Sequence, residues 1–133
     1  MNFRVEHLGL SARDPVELKD WYVRILGAKV VFANDPAKQS FFLSLPGQVL
    51  VEIYRGEFSV PQTTNNQLNG WRHLALRVES LADARAELEK LGVQFTEQVK
   101  PAGGGGNVLF FQDPEGNLLH LVERPADSSI RCP

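Results

Sequence analysis

The sequence predicts an α+β protein in which two βαβββ modules follow one another. Hydrophobic residues alternate, then recur at helical spacing, then alternate in three further short runs, and this order occurs twice along the 133 residues. When the second half of the chain is slid onto the first, Phe42 falls on Phe110 and Glu52 falls on His120. The chain is therefore interpreted as a duplicated structural unit.

Module one is expected over residues 3–56. A short alternating run around His7 predicts its first strand. The helix should begin after Asp14, with Pro15 at its first position, and end at Gly27, because these residue types favour helix N-caps, first turns and C-caps. Three strands should follow, at residues 29–33, 40–45 and 48–55.

Module two is expected over residues 71–124, after a polar linker at 57–70 that has no hydrophobic periodicity. Its first strand contains His73. Its helix should be capped by Ser80 and should end at Gly92. Three strands are again expected, at residues 93–97, 108–112 and 117–123.

The two modules and their linker are predicted to form one domain over residues 1–126, with a flexible tail at 127–133. A formal net charge of −2 gives no reason to expect nucleic acid or a membrane surface as a partner. The first residues lack the apolar core of a signal peptide. The only cysteine, Cys132, cannot form an internal disulfide, which favours a reducing compartment. We therefore expect a cytoplasmic protein.

The chain contains three histidines, and all of them fall at repeat-related strand positions. His7 and His73 open equivalent strands, while His120 takes the place that Glu52 occupies in the other module. A carboxylate among apolar strand neighbours is costly unless it is paired or bound to a metal. Imidazole and carboxylate ligands suit zinc, nickel, iron, manganese or cobalt. The pattern predicts one divalent metal ion bound by His7, Glu52, His73 and His120.

Simpler interpretations exist for each residue taken alone. A single strand histidine is more often a core or rim residue than a ligand. Glu52 could instead form a salt bridge with Arg55, Arg72 or Arg77. The glycine run 103–106 is expected to be a flexible turn, with a substrate lid as the alternative. Four arginines are expected to be solvated surface charges, with recognition of a substrate carboxylate as the alternative: Arg13, Arg55, Arg77 and Arg124.

The sequence resembles the vicinal oxygen chelate superfamily, which includes glyoxalase I, extradiol dioxygenases and the bleomycin and fosfomycin resistance proteins. The resemblance covers about residues 3–124. The helix ending Trp-Tyr-Val-Arg-Ile-Leu-Gly and the Asp-Pro-Glu-Gly-Asn turn are its most specific features. The segments that carry it are residues 5–8, 21–27, 72–76 and 113–120.

The resemblance implies curved mixed sheets that surround a metal-binding cleft, and a homodimer as the assembly. It places the metal ligands at His7, Glu52, His73 and the fourth residue after the turn glycine. The usual residue at that last position is a glutamate, which also transfers protons in glyoxalase-like isomerases. Here it is His120, so the proton-transfer role falls to Glu52 or to His120.

Three functions are compatible with these features. The first is a metal-dependent lyase or isomerase of the glyoxalase type, acting on a small substrate with vicinal oxygens through an enediolate-like intermediate. The second is a ring-cleaving dioxygenase that uses non-haem iron. The third is a small-molecule binding protein that resembles the bleomycin resistance proteins and uses no metal. The dioxygenase ranks second because enzymes of that kind commonly need a further histidine beside the ligands, and none remains here. The binding protein ranks last because the full set of ligand residues is present.

Overall fold

The computed structural model describes residues 4–59, 61 and 63–131. The chain forms two compact units, unit one over Met1–Pro61 and unit two over Gln62–Pro133. Cys132, to which no role was assigned, lies outside the described residues. The elements of unit one are β1 (Leu8–Ala12), α1 (Pro15–Leu26), β2 (Lys29–Ala33), β3 (Phe41–Leu45) and β4 (Val49–Arg55). Those of unit two are β5 (His73–Val78), α2 (Leu81–Lys90), β6 (Lys100–Pro101), β7 (Asn107–Gln112) and β8 (Leu118–Glu123).

Unit one contains a four-stranded sheet in the order β1-β4-β3-β2. Strands β1 and β4 are parallel, and the other pairs are antiparallel. The Asp14 side chain accepts a hydrogen bond from the backbone N–H of Glu17 at 3.0 Å, and Gly27 ends the helix with a φ of 67°. Leu18 of the helix and Leu43 and Ile53 of the sheet are fully buried, so the core of unit one lies between the helix and the sheet.

Unit two repeats this plan with the strand order β5-β8-β7-β6. The Ser80 hydroxyl accepts a hydrogen bond from the backbone N–H of Asp83 at 3.2 Å and caps α2. Leu109, Leu119 and Leu121 are almost fully buried. The observed elements confirm the predicted α+β class and the duplicated βαβββ order. None of the helices in the described part of the chain is long and apolar enough to cross a membrane.

One predicted strand is wrong. Residues 93–97 are not a strand, and the edge strand β6 is the short pair Lys100–Pro101. Lys100 pairs with Val108 and Pro101 with Asn107, and a proline lacks the N–H that would extend the ladder. The apolar residues that suggested a strand have another role, since Val93 is buried and the Phe95 ring lies 5.3 Å from the Phe111 ring.

Candidate metal centre

In unit one, the sheet register brings His7 and Glu52 together. His7 lies directly before β1 on the same face as Gly9, and Gly9 is the register partner of Glu52 on β4. The His7 Nε2 atom lies 3.6 Å from Glu52 Oε2. The Ser40 hydroxyl donates to the other carboxylate oxygen at 3.4 Å. The side chains of His7 and Glu52 are 33% and 29% exposed, so the pair is accessible to a ligand from solvent.

The Nδ1 atom of His7 lies 3.0 Å from Glu6 Oε1. An ionised carboxylate only accepts hydrogen bonds, so Nδ1 of His7 is the donor in this contact and Nε2 is the ring atom that faces Glu52. Two lone-pair atoms at this separation repel unless a proton or a cation lies between them. Two ligands of one tetrahedral zinc ion lie roughly 3.4 Å apart, which is close to the observed 3.6 Å. The pair therefore fits two ligands of one metal ion.

Unit two contains a second pair with the same register relationship. His73 begins β5 and shares a face with Ala75, whose register partner on β8 is His120. The two imidazole rings are 4.6 Å apart between centroids and are tilted by 39°. Phe110 packs against both rings, at 5.8 Å from His73 and 4.8 Å from His120. Phe42 packs in the same way against His7, at 5.0 Å. Each pair thus lies beside a phenylalanine of the neighbouring strand.

His120 is buried, with 8% of the residue exposed. Its Nδ1 atom is buried without a hydrogen-bond partner among the described residues. Burial is the main cause that lowers the pKa of His120 from 6.5 to about 4, and the positive charges of His73 and Arg124 contribute to the same shift. The ring is therefore neutral at neutral pH, which is the form that binds metal ions. A buried nitrogen without a partner fits a ligand role better than a purely structural one.

The turn before β8 places His120 on this face. The buried Asp113 carboxylate accepts hydrogen bonds from the backbone N–H groups of Glu115 at 2.9 Å and of Asn117 at 3.0 Å. Its other oxygen accepts from the Asn117 side-chain amide at 2.8 Å. Gly116 has a φ of 83°, which a residue with a Cβ rarely adopts. The Asp-Pro-Glu-Gly-Asn segment is thus a rigid turn that sets the start of β8.

The structure brings the four predicted residues together as two pairs, one in each unit. Within the described part of the chain, no cluster of three or more His, Cys, Asp or Glu side chains is arranged to hold a metal ion. The pairing of His7 with Glu52 and of His73 with His120 is therefore a structural finding. The binding of one ion by all four residues stays a prediction.

The arginines do not form the salt bridge that was considered for Glu52. Arg55 donates to the carbonyl oxygen of Arg13 and to the Gln39 side chain. Arg77 donates to the carbonyl oxygen of Ile130 at 2.7 Å. The Nε and Nη1 atoms of Arg72 are buried without a hydrogen-bond partner in the described residues. In the part of the chain that the structure describes, the polar contacts of Glu52 are with His7 and Ser40.

The glycine run has a packing role. Arg124 Nη1 donates to the carbonyl oxygens of Gly103 at 2.5 Å and Gly105 at 2.7 Å. A Cβ on Gly106 would lie 1.9 Å from the carbonyl oxygen of Glu123, and one on Gly104 would lie 2.3 Å from the Ile130 side chain. Glycine is required at position 106, because the backbone there passes close to the end of β8. The sequence predicted a flexible turn for this run. It could not predict the packing contacts, because they join residues that are far apart in sequence.

The sequence profile of the Glyoxalase/Bleomycin resistance protein/Dioxygenase superfamily matches residues 4–121. The chain therefore belongs to this superfamily, as the resemblance in its sequence implied.

Two curated relatives span nearly the whole chain. The protein YaeR of Escherichia coli (strain K12) is 30% identical over 125 residues, which cover 91% of this chain and 96% of the relative. The lactoylglutathione lyase of Salmonella typhimurium is 23% identical over 127 residues, which cover 90% of this chain and 92% of the relative.

Two solved structures have the same fold. The glyoxalase family protein from Enterococcus faecalis matches with a TM-score of 0.73 and 30% identity, over 90% of this chain and 97% of its own. The fosfomycin resistance protein FosX from Listeria monocytogenes, complexed with Mn(II) and a sulfate ion, matches with a TM-score of 0.70. It is 18% identical, over 96% of this chain and 94% of its own. These likenesses agree with the two βαβββ units.

Sequence reasoning missed two residues beside the histidines. Glu6 was not singled out, although it is the sequence neighbour of His7. Asn66 lies in the segment that was interpreted only as a linker, and its Oδ1 atom is 3.0 Å from His73 Nδ1. A polar residue next to a candidate ligand could have drawn attention to Glu6. No sequence pattern connects Asn66 to His73, because a loop brings them together.

Proposed function

We propose that this protein is a divalent-metal-dependent enzyme of the glyoxalase type, a lyase or isomerase that acts on a small substrate with vicinal oxygens. The proposed metal ligands are His7, Glu52, His73 and His120. The observation that carries the proposal is the repeated pair, in which the same strand register sets an imidazole against Glu52 in one unit and against His120 in the other. Membership of the superfamily and the likeness to a lactoylglutathione lyase support the choice of reaction.

A metal ion held by these groups would supply a Lewis acid for a carbonyl oxygen of the substrate. Glu52 is the better candidate for the proton transfer between the neighbouring carbon and oxygen atoms. It is a partly exposed carboxylate, and Ser40 holds one of its oxygens. His120 is buried, so a substrate reaches it less readily than it reaches the partly exposed Glu52. We therefore assign proton transfer to Glu52 and a ligand role to His120.

The metal content of the purified protein tests this proposal. We expect about one equivalent of zinc, nickel, iron, manganese or cobalt for each set of four ligands. The double variants His7→Ala/Glu52→Ala and His73→Ala/His120→Ala should each lose it. Glu57→Gln changes an exposed carboxylate outside both pairs and is the matched control. Loss of metal in the control as well, or retention in both double variants, would place the ion elsewhere.

The same purified protein distinguishes the proposed function from a dioxygenase and from a small-molecule binding protein. Oxygen-dependent ring cleavage of a catechol by the iron-loaded protein would support the dioxygenase. Failure of the wild type to take up any metal from an added excess would favour a small-molecule binding protein. The homodimer and the cytoplasmic location remain predictions, and light scattering of the purified protein tests the first of them.

A further inference from the structure

We propose that Glu6 and Asn66 are positioning residues, which hold the Nδ1 protons of His7 and His73 so that the Nε2 atom of each ring is free to bind the metal. This inference rests on the proposed function, because the orientation of Nε2 matters only if the two histidines bind a metal ion. Its geometry comes from the Nδ1 contacts of the two histidines.

The two contacts match in distance and in chemistry. His7 Nδ1 lies 3.0 Å from Glu6 Oε1, and His73 Nδ1 lies 3.0 Å from Asn66 Oδ1. A carboxylate oxygen and an amide carbonyl oxygen both accept hydrogen bonds. In a neutral imidazole, a hydrogen bond donated by one nitrogen leaves the lone pair on the other. Both rings are therefore held in the Nδ1–H tautomer, with Nε2 available as a ligand.

The two acceptors come from unrelated places in the chain. Glu6 is the neighbour of His7, and its side chain is 80% exposed. Asn66 reaches His73 from the preceding loop. That loop is ordered by Asn65, whose side chain accepts from the backbone N–H of Gln67 at 3.0 Å and whose carbonyl oxygen accepts from the backbone N–H of Leu68 at 3.3 Å. The Nδ1 atoms of His7 and His73 thus have acceptors of separate origin. This is expected if the tautomer of each ring matters to function.

The loop that carries Asn66 also packs on the turn before β8. A Cβ built on Gly116 would lie 3.4 Å from the Thr63 methyl group and 3.5 Å from that of Thr64. Asn66 is therefore part of a loop held against the element that positions His120. The segment is a support for the His73 pair in addition to being a connection between the units.

Outer partners of metal-binding histidines typically change metal affinity by roughly 10- to 100-fold when they are removed. Asn66→Leu keeps the shape of the side chain and removes the acceptor, so it should weaken Zn(II) binding by roughly this factor. Asn66→Asp keeps an acceptor and should bind Zn(II) as the wild type does. Glu6→Ala removes the matching acceptor at His7 and should also weaken Zn(II) binding.

The experiment has two readouts on the full-length protein. The first is Zn(II) affinity at pH 8, measured by competition with a chromophoric chelator for wild type, Asn66→Leu, Asn66→Asp and the control Gln67→Ala. The second is the tautomer of His73 in the metal-free protein, measured by long-range ¹H–¹⁵N correlation. A purely structural role of Asn66 would leave this tautomer unchanged.

We expect an Nδ1–H tautomer for His73 in the wild type and in Asn66→Asp and its loss in Asn66→Leu. Among these three proteins and Gln67→Ala, only Asn66→Leu should bind Zn(II) more weakly. Equal affinity of wild type and Asn66→Leu overturns the inference and leaves the proposed function intact. Failure of the wild type to bind Zn(II) and each of nickel, iron, manganese and cobalt refutes the proposed function, whereas an Nε2–H tautomer in the metal-free wild type refutes the positioning.

Discussion

Acidification should destabilise the metal-free protein through His120. Burial is the largest cause that lowers the pKa of this imidazole from 6.5 to about 4, followed by the charges of His73 and Arg124. The unfolded chain therefore binds a proton at His120 in the pH range between these values, whereas the folded chain does not. The stabilising contribution is complete above pH 6.5, falls as the pH drops towards 4 and is constant below it.

The size of the effect follows from the two pKa values. Between pH 7.5 and pH 4.5, a change from 6.5 to about 4 corresponds to at most about 2.5 kcal/mol of the free energy of unfolding. Screening by the water that reaches the edge of the ring reduces this figure, so we expect about 1–2.5 kcal/mol. A loss of this size is a large share of the stability of a small domain.

Urea denaturation of chelator-treated protein at pH 7.5 and 4.5 measures this loss. His120→Gln cannot titrate at this position, so it should lose less free energy between the two pH values than the wild type does. The carboxylates titrate in both proteins. Their contribution therefore cancels when the free-energy loss of His120→Gln is subtracted from that of the wild type. His73→Gln should recover only the smaller part of the difference, because burial is the larger cause.

Direct titration by NMR gives a second check, since the chain has three histidines and their ring signals are few enough to assign. One imidazole should titrate near pH 4, and it should vanish from the spectrum of His120→Gln. The reasoning would be refuted by a His120 pKa near 6.5, or by equal pH dependence of wild type and His120→Gln.

Three further substitutions, with Gly103→Ala as a control, test the residues around β8, the strand that carries His120. Asp113→Ala should lower the free energy of unfolding by about 2–3 kcal/mol, because it removes the acceptor of two partly buried backbone N–H groups of the turn; a loss below about 1 kcal/mol in urea denaturation would contradict this. Gly106→Ala should cost at least about 2 kcal/mol, since its φ is 87° and its Cβ would meet a carbonyl oxygen at the end of β8. Gly103→Ala, where a Cβ meets nothing within 4 Å, is the control and should change the thermal midpoint little. Arg124→Gln should raise the pKa of His120 by removing a nearby positive charge, and an unchanged NMR titration would show that this charge has no influence.

The duplicated order of elements was predictable from hydrophobic periodicity and local capping chemistry. Asp14, Gly27 and Ser80 end or begin helices through interactions within a few residues, so their roles can be inferred from sequence alone. The prediction failed at residues 93–97, where apolar side chains contribute to the core from an irregular segment. Periodicity cannot distinguish such a segment from a strand.

The sequence by itself determined which residue types occupy the repeat-related positions, and so it pointed to His7, Glu52, His73 and His120 together. Only the tertiary structure decided how they pair, because pairing depends on the parallel register of β1 with β4 and of β5 with β8.

The environment of each side chain was also decided by tertiary structure. Burial of His120 depends on its neighbours across β7, and the position of Asn66 beside His73 depends on the path of a loop. Both arise from contacts between residues that are distant in sequence or joined by irregular backbone. Such contacts leave no periodic pattern, which is the physical reason that the chemistry of the site could not be inferred from the sequence alone.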